Sequence, residues 1–134
     1  MKIDGKKFQE RVADIIRYNE VRGWDKTKPE DLAKSIVLES AELLEHYQWD
    51  ASARRLKRKK TKDQSEIMHE VADIFWYLIL FCKQAKVDMV EAMERKMKHN
   101  EEKYPEEAFK GKHNQELYQS QKKKYRANKK IFHI

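Results

Sequence analysis

The residues of this chain best suited to chemistry are carboxylates that stand where an amphipathic helix would place apolar side chains. At about 100° per residue, Leu32, Ile36, Leu43 and Tyr47 share one helical face, and Glu39 falls within roughly 20° of its centre. Glu42 follows on the flank near His46, whereas Glu45 points nearly opposite, toward solvent. A second stretch repeats the arrangement. Ile67, Val71, Ile74 and Leu78 form its stripe, and Glu66, Glu70, Asp73 and Tyr77 form a ridge along one flank. Each stretch therefore carries a carboxylate pair at i, i+3, written E-x-x-E and E-x-x-D, which puts both acids of a pair on one side. Two such helices packed antiparallel would gather Glu39, Glu42, Glu70 and Asp73. Like charges that close do not all stay ionised without a counter-cation. An all-oxygen ligand set with no Cys/His cluster selects Mg²⁺, or Mn²⁺ in its place, over zinc.

A third stretch adds a cationic strip. Lys96, Asn100 and Lys103 stand at i, i+4 and i+7, and Asn100 lies close to a stripe of Met93, Met97 and Tyr104. Ammonium and carboxamide groups both donate to phosphate oxygens.

The elements that must position these groups are helices. The 134 residues suit one ordinary domain, and only three Gly and two Pro interrupt them, too few for the turns of a sandwich or barrel. An all-α bundle of four to five helices is expected. The first runs from about Gly5 to Val21 and is ended by Gly23. The second is opened by a capping box, Thr27 with Glu30, and runs to about Gln48. A polar linker covers 50–62. The third helix spans about Asp63 to Lys86, and the fourth runs from an Asp88 N-cap to about Lys103, where Pro105 stops it. The apolar surface of the third helix, with Trp76 opposite its stripe, exceeds what so short a chain covers alone, so an oligomer is expected.

Charge is unevenly placed. Residues 1–109 hold 22 basic and 22 acidic side chains, and residues 110–134 hold eight basic and one acidic. Two segments are thus strongly basic, the block RRLKRKKTK at 54–62 and the tail from 110 onward, and a nucleic-acid-binding helical module using them is the alternative reading. The longest apolar run, Ile74 to Cys82, is about half of what a membrane span needs. A lone cysteine, Cys82, suits a reducing compartment, and a cytoplasmic protein is expected.

Together the motifs resemble the MazG-like family of all-α nucleoside triphosphate pyrophosphohydrolases, its small dCTP-pyrophosphatase-like members above all. The matching segments are RGW (22–24), LESAELLEHYQW (38–49), EVADIFWYL (70–78) and KMKHNEEKYP (96–105). The matched elements span about residues 20–105, within an expected domain over 1–109, and the basic tail over 110–134 lies outside the resemblance. The resemblance implies a homodimer or homotetramer, Mg²⁺ on Glu39, Glu42, Glu70 and Asp73, and conversion of a (d)NTP, such as dCTP or a non-standard nucleotide, to the monophosphate and pyrophosphate. Lys96 and Asn100 match positions that contact phosphate or the metal site, with Lys103 and Tyr104 in the same motif. Trp24, Trp49 and Tyr77 match positions around the nucleotide. On this chemistry Glu39 or Glu42 handles the attacking water, and Lys96 stabilises charge on the phosphates.

Overall fold

The computed structural model describes residues 3–48, 64–109, 111 and 114–131. The described residues form helices α1 (Gly5–Glu20), α2 (Pro29–Gln48), α3 (Gln64–Ala85), α4 (Met89–Lys103), α5 (Glu106–Phe109) and α6 (Gln115–Ile131), and no strand. The six are the four helices expected one by one, a four-residue turn, α5, and α6, which lies in the basic segment. The 54–62 block and Trp49 fall outside the described residues.

The helix limits follow local chemistry. The Asp4 and Asp88 carboxylates accept from the backbone amides of Lys7 and Glu91, at 3.1 and 2.9 Å, and open α1 and α4. At the end of α1 the Trp24 amide donates to Asn19 O (3.0 Å) and the Gly23 amide to Glu20 O (3.0 Å). This is the paired closure of a Schellman turn. It needs a left-handed residue at position 23, and Gly23 supplies it at φ +69°. The start of α2 departs from expectation. The Thr27 hydroxyl turns back to donate to Trp24 O at 3.0 Å, and the helix opens at Pro29, with Lys28 O accepting from Asp31 and Leu32.

Packing divides the chain into two compact units, residues 1–87 and 88–134. In the first, α2 lies along α3 and α1 packs against the C-terminal half of α3. Leu32, Ile67, Ile79 and Leu80 are the buried apolar residues, with Leu32 only 2% exposed. Edge-on contacts of Phe8 with Phe75 (6.3 Å) and Tyr18 with Trp76 (5.1 Å) seat α1 on α3. The Lys83–Glu20 ion pair and a hydrogen bond from Gln84 Nε2 to Asp25 O tie α3 to the end of α1 and the loop after it.

In the second unit α6 packs on α4. The Tyr104 and Tyr118 rings stack at 5.0 Å and 14°, and the Tyr125 hydroxyl meets His99 Nδ1 at 3.3 Å. The motif-based boundary at 109/110 thus runs between two helices that pack together. Tyr118→Ala is expected to weaken this pairing by about 1 kcal/mol beyond the lost area. The change would be read as faster amide hydrogen exchange in α6 and the last turns of α4, with α2 and α3 unaltered. Unchanged exchange in α6 would show that the stacked pair does not hold it.

Candidate metal and nucleotide site

Three of the four expected carboxylates converge. Glu39 on α2 and Glu70 and Asp73 on α3 each offer an oxygen, and these oxygens all lie within 4.8 Å of one another. The pairing of α2 with α3 brings them together, and the i, i+3 step from Glu70 to Asp73 keeps both on the side facing Glu39. Glu39 and Glu70 are half-buried and Asp73 is exposed. Burial, and after it the charges of Glu42, Asp73 and Glu70, holds the Glu39 carboxyl above the usual carboxylate range.

Glu42 is an exposed neighbour of this trio and not one of its members. On an α-helix, i+3 leaves it about 60° round from Glu39. It lines a separate acidic opening of about 580 Å³ with Glu45, His46, Glu66 and Glu70. Glu45, expected to face solvent alone, shares that opening. His46 Nε2 stands 3.7 Å from Glu70 Oε1 and is only 20% exposed. The sequence placed His46 beside Glu42 but gave it no role. Its link to Glu70 depends on how α2 and α3 are registered, which periodicity does not reveal.

A donor set made of oxygens alone, one member of which resists ionisation through burial and then through its acidic neighbours, fits a hard divalent cation.

On the Asp73 side a cavity of about 450 Å³ opens between α1, α2 and α3. Trp24 and Tyr77, expected around a nucleotide, both line it, Trp24 with 57% of its surface exposed. Tyr18, Asn19, Thr27, Ser35 and Trp76 complete most of the wall. None of these five had a site role in the sequence, where Thr27 read as a helix cap and Trp76 as surface for an oligomer contact. The turn closed by Gly23 brings Tyr18, Asn19 and Trp24 to one wall, and the Tyr18 and Trp24 rings lie 6.2 Å apart. In the second unit Lys96 and Asn100 are exposed on α4. Half-buried Lys103 places its ammonium 5.0 Å from the Tyr104 ring centroid and 5.9 Å from that of Tyr125, so it is engaged by aromatic faces as well as solvent.

Comparison with known proteins bears on this arrangement. The family model described as "MazG-like family" matches residues 34–120. The dCTP pyrophosphatase 1 of Rattus norvegicus is 29% identical over 86 residues, which are 63% of this chain and 51% of that protein. The dCTP pyrophosphatase 1 of Mus musculus is 28% identical over the same shares. The chain thus spans about half the length of these relatives. The crystal structure of a pyrophosphatase from Archaeoglobus fulgidus aligns with a TM-score of 0.60 and 35% identity, covering 78% of this chain and 98% of that one. All four motif carboxylates and the α4 strip fall inside the family match, and the chain belongs to the MazG-like family.

Proposed function

We propose that this chain is a magnesium-dependent nucleoside triphosphate pyrophosphohydrolase, converting a (d)NTP and water to a (d)NMP and pyrophosphate. Deoxynucleotides such as dCTP, or non-standard nucleotides, are the substrates. One observation carries the reading: Glu39, Glu70 and Asp73 meet from two helices beside an aromatic-lined cavity. The relatives named as dCTP pyrophosphatases and the similarity to a solved pyrophosphatase support it.

The trio would hold Mg²⁺, with Mn²⁺ able to replace it. When bound, the ion neutralises triphosphate charge and acidifies coordinated water. Glu42, exposed beside the trio, is left to take a proton from the attacking water at a carboxylate oxygen. Trp24 and Tyr77 offer ring faces to the base. Lys96 and Asn100, with Lys103 and Tyr104 of the same motif, are the residues assigned to the phosphates by family resemblance. No helix among the described residues is long and apolar enough to cross a membrane. The lone cysteine suits the cytoplasm.

The direct test incubates the protein with a panel of NTPs and dNTPs and Mg²⁺, and measures both products. Nucleoside monophosphate and pyrophosphate are expected in equal amounts. Release of orthophosphate with a diphosphate, or full activity in excess EDTA, would sink the reading.

Replacing a ligand separates function from folding. Glu39→Gln and Asp73→Asn should lower turnover by at least about a hundredfold while helix content is kept. The Glu39 pKa is higher folded than unfolded, so the fold binds the extra proton. Metal-free stability should therefore rise as pH falls from neutral toward that raised pKa, and fall again as Glu39 ionises above it. Glu39→Gln should flatten this slope and melt no lower than wild type at neutral pH without metal. Collapse of the fold in the Gln variant would mark a structural role for Glu39.

A homodimer or homotetramer is part of the same proposal. Among the described residues sixteen large apolar side chains are exposed and four are buried, which is too little core for a chain of this size. Phe8, Val12, Ile15, Phe75 and Ile79 line an apolar groove of about 440 Å³ between α1 and α3. Light scattering should give a stable multiple of 16.2 kDa at micromolar concentration. A monomer there would refute it. Nucleic acid is a secondary partner, suggested by Lys122, Lys123, Lys124 and Arg126 on α6, none of them in an ion pair among the described residues. Steep loss of affinity with salt would be its mark.

A further inference from the structure

Asn19 is the one buried polar residue among the described side chains, with 4% of its surface exposed. Its Nδ2 donates to Ile15 O at 2.9 Å. A carbonyl can only accept, so this bond fixes which end of the carboxamide is nitrogen and which is oxygen. Oδ1 then accepts from no described residue and is left to the cavity that Asn19 lines. Oδ1 is itself open to the cavity, so it is free to accept from a ligand donor.

The two aliphatic hydroxyls in the wall, Thr27 and Ser35, are committed in the same sense. Thr27 Oγ1 donates to Trp24 O at 3.0 Å, and Ser35 Oγ donates to Asp31 O at 3.2 Å. Each has spent its only hydrogen and turns lone pairs to the cavity. Asp73 adds a carboxylate at the edge shared with the metal trio. Four oxygens in the wall thus accept, three of them on side chains oriented by hydrogen bonds. The lining also carries donors, the second N–H of Asn19, the indole N–H groups of Trp24 and Trp76 and the hydroxyls of Tyr18 and Tyr77, but beside Asn19 itself the oriented groups are acceptors.

We propose that Asn19 reads the base, and that this cavity selects nucleotides bearing an exocyclic amino group over their keto counterparts. The proposal rests on the pyrophosphohydrolase reading above and adds the specificity of that site. An amino group brings two N–H donors to the oriented oxygens of Asn19, Thr27 and Ser35. A keto oxygen at the same place would set lone pair against lone pair. Trp24, Trp76, Tyr18 and Tyr77 supply ring surface for any base, so they give affinity without this discrimination. Hydroxyls of the sugar are the competing source of donors.

The test is calorimetric titration of the full chain with dCMP, dUMP and CMP, beside pyrophosphate release from dCTP and dUTP. Wild type should bind dCMP about tenfold or more tightly than dUMP, the size of one buried hydrogen bond. Asn19→Leu, close in shape, should lose about tenfold for dCMP and less than about threefold for dUMP. Equal losses for both, or an unchanged ratio, would overturn the proposal. A variant effect confined to the CMP/dCMP ratio would overturn it too, by assigning Oδ1 to the sugar. Should Asn19→Leu lose its helix content, Ser35→Ala carries the test. It removes one acceptor without touching α1 and should narrow the dCMP/dUMP ratio severalfold, and no narrowing counts against the proposal. Turnover without base preference defeats the assignment of Asn19 alone. Absence of both turnover and nucleotide binding defeats the function reading as well.

Discussion

The repulsion among Glu39, Glu70 and Asp73 is the constraint around which the first unit is built. Three acidic oxygens within 4.8 Å destabilise any fold that gathers them without a cation. Glu39 records this directly, since its carboxyl is pushed toward the protonated form by burial and by three neighbouring acids. The cost falls on α2 and the first half of α3. Compensation comes from the second half of α3, where Ile79 and Leu80 are buried and where α1 is seated by Trp76, Lys83 and Gln84. One helix therefore carries the strained end and the anchored end of the same unit. This separation lets a crowded anionic site persist in a chain with so little buried apolar surface.

Most of the helical frame was legible in the sequence because punctuation and periodicity agree there. Asp88, Gly23 and Pro105 mark ends that the structure places within a residue or two. The convergence of Glu39, Glu70 and Asp73 was legible for a different reason. A carboxylate at the centre or flank of an apolar stripe is a local conflict, and such conflicts gather where function overrides packing. The fourth expected carboxylate shows where the method ends. The i, i+3 spacing fixes an angle about the α2 axis, but not whether Glu42 reaches the trio across to α3. That depends on helix separation and register, which also brought His46 to Glu70.

The second unit was harder to read. Helix α6 has few apolar positions among many cations, so its stripe of Leu117, Tyr118 and Tyr125 is weak against a polar background. What holds it is specific, a stacked tyrosine pair and a Tyr–His contact, and aromatic partners far apart in sequence leave no periodic trace. Lys123 and Lys124 are exposed, while Lys122 and Arg126 stand close enough to act on the tyrosine pair. A basic composition and a packed helix are thus compatible in one segment, because the helix separates them onto different sides.

Asn19 was invisible for a related reason. In the sequence it is one polar residue near the end of an amphipathic helix, where polar residues are unremarkable. Its burial comes from the turn that follows. Gly23 folds the chain back so that the Trp24 amide reaches Asn19 O, and the Asn19 side chain caps inward on Ile15 O. Backbone and side chain of one residue are then both fixed, and the remaining acceptor has nowhere to go but the cavity wall. Bulk at position 23 would do more than strain a turn at φ +69°. It would loosen the element that orients Tyr18, Asn19 and Trp24 together, and with them the side of the cavity opposite the carboxylates. The acidic trio and this wall are thus set by independent devices, a helix pairing for one and a helix ending for the other. On the proposed function, substrate preference varies through the second while the first keeps its chemistry.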